Sequence, residues 1–87
     1  MLDTITIRAV KLKIGQVCKS KRKEYNLSRD ELAKELDISR TTIQNIENGK
    51  NATLDNLLKV ANHFNLLETV FHNIEKLDQP NNNISFY

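Results

Sequence analysis

The sequence predicts an all-α domain of five helices. Apolar residues recur at offsets of three, four and seven along most of the chain, the period of a helix with one face turned inward. The 87 residues hold only two glycines and one proline, whereas a β-sandwich needs a turn signal every ~8–12 residues. Charged residues make up 28% and aromatic residues 6%, so the core must be built from aliphatic side chains on amphipathic helices.

The first helix carries Ile7, Val10, Ile14, Val17, Cys18 and Lys21 on one face. Thr6 or Asp3 caps its start, and it ends near Tyr25-Asn26, where asparagine tolerates the left-handed conformation. Gly15 in its interior costs about 1 kcal/mol relative to alanine, a cost that a close helix contact would explain. A short strand through Ile5 and Ile7 is the alternative for the N-terminus. The second helix opens with a capping box, Ser28 to Glu31, and a hydrophobic staple between Leu27 and Leu32. It turns Leu32, Ala33 and Leu36 inward and stops near Asp37. Ser39 caps the third, from Arg40 to about Asn48, whose only apolar residues are Ile43 and Ile46; Gly49 closes it. Thr53 caps the fourth, with the stripe Leu54, Leu57, Leu58, Ala61 and Phe64. The fifth shows Leu66, Leu67, Val70, Phe71, Ile74 and Leu77, a wide stripe for the last element of a small domain. Residues 78–83 contain Pro80 and three asparagines and break the pattern. The expected organisation is a unit over 1–77 and a tail over 78–87. In that tail Ile84, Phe86 and Tyr87 join a dimer, pair with the Ile5/Ile7 segment, or stay unstructured.

A chain this short excludes the doubly wound and barrel folds that house most enzymes. There is no glycine-rich phosphate loop, no paired-carboxylate cleft and no Ser/His/Asp set, so neither catalysis nor a cofactor is expected. His63 and His72 fall on different helices with no third ligand nearby, so no metal is expected either. The single cysteine, Cys18, cannot form an internal disulfide. It sits on an apolar face as a small buried residue, whereas a redox switch would need exposure and a depressed pKa. No apolar run approaches the ~18–20 residues of a membrane span, and no signal peptide is evident. The expectation is a soluble, cytoplasmic protein.

Net charge is only +2, but residues 1–50 carry a balance of +4 and residues 51–87 a balance of −2. From Arg8 to Arg29 there are eight basic residues and one acid, Glu24. That asymmetry suits a polyanion on one side, and it equally suits an ordinary solvated helix face. Residues 29–48 are more informative. Two short helices flank the turn Asp37-Ile38-Ser39, with Ala33 small where the second crosses the first. The second leaves Arg40, Thr41, Gln44, Asn45 and Asn48 exposed. This is the plan of a helix-turn-helix, whose second helix enters the DNA major groove. Arginine suits guanine, asparagine and glutamine suit adenine, and the threonine methyl suits thymine. The apolar spacing alone also fits a helical hairpin in another all-α module; the polar face favours DNA.

The run Ile14-Gly15, Lys19-Ser20-Lys21-Arg22, Leu27-Ser28, Glu31-Leu32-Ala33, Leu36, Ile38-Ser39, Thr42-Ile43, Ile46-Glu47-Asn48-Gly49-Lys50 and Leu54 to Ala61 resembles the lambda-repressor-like, Xre-type helix-turn-helix family over about residues 12–66. The resemblance implies a five-helix domain that binds an inverted-repeat operator in double-stranded DNA as a homodimer. It puts Arg40, Thr41 and Asn45 at base-reading positions, with Gln44 beside them reading a base or a phosphate. It puts Ser39 and Thr42 on phosphate near a helix N-terminus, with Lys50, Lys21, Lys19 and Arg29 as further backbone contacts. It also implies a structural ion pair between Arg22 and Glu47. Two positions depart from the pattern: Arg29 replaces a glutamine that braces the recognition helix, and Asp37 replaces a turn glycine. The surplus apolar surface of Leu67, Val70, Phe71, Ile74 and Leu77 is the expected dimer interface, which would space two recognition helices about 34 Å apart; the other reading is that this face caps the monomer core. The leading expectation is a transcriptional repressor. The alternatives are an antitoxin that uses the same fold and binds a toxin through its C-terminal segment, and a pure protein-interaction module.

Overall fold

The computed structural model describes residues 4–79, which form α1 (Ile7–Glu24), α2 (Arg29–Leu36), α3 (Arg40–Glu47), α4 (Leu54–His63) and α5 (Leu67–Leu77), with no strand among them. Four of these helices start and stop by the same local chemistry. At each start a hydroxyl accepts the backbone N–H three residues on: Thr6 from Ala9, Ser28 from Glu31, Ser39 from Thr42 and Thr53 from Asn56, all at 3.0–3.1 Å. The Glu31 carboxylate completes the box by accepting the Ser28 N–H at 2.7 Å. At each end a residue with positive φ reverses the chain: Asn26, Asp37, Gly49 and Asn65, at 57–72°. The following N–H then bonds back five residues, Leu27 to Arg22, Ile38 to Ala33, Lys50 to Asn45 and Leu66 to Ala61, at 2.8–3.0 Å. α5 differs, for it starts at Leu66 without a side-chain cap.

Cys18, Leu32, Ala33, Ile43, Ile46, Val60 and Phe64 form the core, and Leu27, Leu36, Ile38, Leu57 and Leu66 pack against it. Tyr25 closes one end, edge-on to Phe64 with centroids 4.9 Å apart.

Three expectations are corrected here. Ile5 and Ile7 form no strand, since Thr6 caps α1 and Ile7 begins it. The expected apolar face of α1 is not its inward face: Ile7 is 78% exposed and Val10, Ile14 and Val17 are also exposed. The residues that α1 buries are Gly15, Cys18 and Arg22. α1 crosses α3 so closely that a Cβ on Gly15 would lie 2.5 Å from the Ile46 carbonyl oxygen. That backbone approach sets the rotation of α1, and its aliphatic stripe is left to one side. In α4, likewise, Leu54 and Leu58 are exposed while Val60 enters the core. Asp3, the alternative cap, and the segment from Pro80 through Ile84, Phe86 and Tyr87 lie outside the described residues. No helix of the described residues is long and apolar enough to cross a membrane.

Candidate nucleic-acid interface

α2 and α3 are joined by a tight reversal. Asp37 takes the left-handed conformation, φ 57° and ψ 46°, where a glycine would be unstrained and an aspartate is tolerated. Buried Ala33 allows α3 to cross nearby, and Ile43 and Ile46 lock the inner edge of α3 into the core. At its start the Ser39 hydroxyl is shared between the Thr42 N–H and the Thr42 hydroxyl, 2.8 Å away. The first backbone N–H groups of α3, at Arg40 and Thr41, lack helical acceptors, as at any helix start. Together with the hydroxyls they make this end suited to an anion.

Arg40 and Thr41 are exposed, whereas Gln44 and Asn45, expected to be exposed, are half-buried. α3 has eight residues and packs against both α1 and α2, so little of its circumference faces only solvent. Arg40 is not free either: its Nε donates to Asp30 Oδ1 at 3.1 Å, across an exposed α2–α3 pair.

Behind α3 lies a charged cluster. The Glu47 side chain is 0% exposed. Its Oε2 accepts Arg22 Nε at 2.6 Å, and its Oε1 accepts Arg22 Nη2 at 3.0 Å and Arg29 Nε at 3.0 Å. Arg22 Nη1 donates to the Leu27 carbonyl at 2.9 Å. One carboxylate thus joins α1, α2 and α3. Burial alone would push the Glu47 carboxyl up, but hydrogen bonds from Arg22 and Arg29, with their charges, outweigh it and hold the carboxyl below the usual range. The hydrogen bond to Glu47 raises Arg22 above its ordinary value against the opposing effect of burial. Cys18 Sγ lies 3.9 Å from Glu47 Oε2. Burial and then the Glu47 charge push its thiol up to about 12, which makes the sulfur a packed, unreactive group.

Arg29, expected at phosphate, instead has its Nε turned to Glu47, with the side chain 26% exposed. The bracing role left open by the missing glutamine is filled by an ion pair. Of the expected lysine contacts, Lys19 and Lys50 are exposed, and half-buried Lys21 lies 3.5 Å from Glu24. Lys11 Nζ, which was not singled out, donates to Asn51 Oδ1 and ties α1 to the loop after α3. Neither this contact nor the Asp30–Arg40 pair has a local signal, because the partners are separated by a turn or by a whole helix.

Two short helices held at this hinge, the second with a capped outer end and a locked inner edge, define a helix-turn-helix DNA-binding regulator. Residues 19–71 match the Helix-turn-helix family, and the chain belongs to it as a lambda-repressor-like, Xre-type member. Among its relatives is the control protein C.MunI of Mycoplasma sp, 39% identical over 70 residues that cover 77% of this chain and 95% of that protein. Another is the ImmF control region 10 kDa protein of Bacillus phage phi105, 50% identical over 38 residues, 44% of this chain and 42% of that protein.

Proposed function

We propose that the chain binds an inverted-repeat operator as a homodimer and represses transcription by occupying it, with α3 in the major groove. The observation that carries this reading is how α3 is held. Ile43, Ile46 and Glu47 are buried on one edge, and the cluster of Arg22, Glu47 and Arg29 fixes the helix to its two neighbours. The remaining edge presents Arg40, Thr41, Gln44 and Asn45, side chains that read base edges through hydrogen bonds and methyl contact. Ser39, Thr42, Lys19, Lys21 and Lys50 contact phosphate and set the docking angle. Arg29 acts chiefly through Glu47 and adds charge near the backbone. Residues 1–77 form the DNA-binding and dimerising unit. The word "control" in the names of both relatives supports a regulatory role. α5 supports the dimer, for none of its residues is buried, although Leu67, Phe71, Ile74 and Leu77 are large and apolar.

Selection of bound duplexes from random DNA with the purified protein tests this directly. The expected result is one enriched inverted repeat whose half-sites lie about one helical turn apart. Enrichment of an isolated half-site would remove the dimer, and no enrichment would remove sequence-specific binding.

A further inference from the structure

A groove of about 590 Å³ runs between α1 and the α4–α5 pair, and its lining is almost wholly apolar. Val10, Ile14 and Val17 of α1 form one wall, Leu58 and Ala61 of α4 the floor, and Val70 of α5 the rim opposite. It exists because Gly15 rotates the aliphatic stripe of α1 away from α3, and because α5 packs on α4. We infer that this groove receives α5 of a second copy of the chain, so that in the dimer each α5 lies against the partner's α1. The inference rests on the homodimer reading above and identifies the surface that would receive the dimer helix.

Three features select this occupant. The outer stripe of α5 is Leu67, Phe71 and Ile74, spaced four and then three, and the wall of α1 is Val10, Ile14 and Val17, with the same spacing. Each ladder spans seven residues, about 10 Å of helix, and this is the repeat of a knobs-into-holes seam. The charges also match. Lys13 stands at the edge of the groove, and the α5 stripe is flanked by Glu68 and Glu75 beside Phe71, with His72 bonded to Glu75 at 2.9 Å. Finally, the contact is self-complementary. Both surfaces are on every copy, so a two-fold axis generates two equal contacts and closes the assembly at a dimer. An α5–α5 contact by itself would cover Phe71 and Ile74 but leave Val10, Ile14 and Val17 in water.

The test is the molar mass of the full chain by sedimentation equilibrium, with helix content followed by circular dichroism. Val10→Asp and, as a second variant at the rim, Ala9→Glu are expected to give helical monomers at concentrations where the unaltered chain is a dimer, a loss of affinity of at least a hundredfold. Leu54→Asp, at an exposed site outside the groove, is expected to remain dimeric. So is the double variant Ile84→Asp/Phe86→Asp in the C-terminal tail. If both groove variants stay dimeric, the groove inference falls and a dimer through α5 alone stands. If the unaltered chain is a monomer, the homodimer reading itself falls. If the tail variant dissociates or loses helix as the groove variants do, the tail and not the partner's α5 fills the groove.

Discussion

Glu47 is a buried carboxylate that is stable only because two guanidinium groups meet it, and removing either should leave a charge without its full solvation. Arg22→Ala is expected to destabilise the fold by about 3 kcal/mol, the lower part of the range for a broken buried pair, because Arg29 still reaches Oε1. Denaturant titration measures this, and DNA affinity should fall with the fold. Unchanged stability with lost binding would make Arg22 a phosphate ligand instead. The same residue sets an acid limit. In the unfolded chain Glu47 titrates near about 4.3, and in the folded chain it titrates lower. Between those values the unfolded state takes up a proton that the folded state refuses. Stability is therefore complete above about pH 5 and is lost as pH falls through the folded value. Glu47→Gln should flatten that acid-side loss while lowering stability at neutral pH. On the outer edge of α3, Asn45→Ala is expected to relax base preference at one position in each half-site, costing about 1–3 kcal/mol there. Binding arrays of single-base operator variants measure it, and an equal loss on every sequence would remove Asn45 from base reading.

Among the helices, α1 and α3 show the largest gap between what local pattern predicts and what packing requires. The caps at Thr6, Ser28, Ser39 and Thr53, and the reversals at Asn26, Asp37 and Gly49, were readable because each acts within about five residues of backbone. The inward face of α1 was not. Periodicity ranked Ile7, Val10, Ile14 and Val17 as the buried stripe, yet the helix turns its glycine and an arginine inward. Gly15 was the one local clue to this contact. Gly15→Ala should gain about 1 kcal/mol of helix propensity. Its Cβ, however, would meet backbone oxygens of Ile46 and Glu47 at 2.5 and 2.6 Å, which cannot move without shifting α3. Overpacking of this kind costs about 1–3 kcal/mol, so a net fall in melting temperature and weaker DNA binding are expected. A rise in melting temperature would show that the two helices can separate without loss.

Across the molecule, charge and apolar surface divide the work. The half from 1 to 50 carries +4 and contains α1 to α3, and the half from 51 to 87 carries −2 and contains α4 and α5. Association with DNA should therefore weaken steeply with salt, each neutralised phosphate contributing about −0.9 to the slope of log affinity against log salt. Lys50→Ala is expected to weaken binding on all sequences alike and to make that slope shallower by about one for each half-site. A slope that does not change would place Lys50 away from the backbone. The all-α class, the helix limits and the polar edge of α3 followed from residue order, since capping, chain reversal and amphipathic period are short-range effects. The second arginine on Glu47, the pairing of Arg40 with Asp30, the half-burial of Gln44 and Asn45 and the open groove beside α1 depend on which surfaces meet in space. Arg29 and Glu47 are 18 residues apart in the chain, and no local pattern fixes how near two such side chains come once the helices have packed.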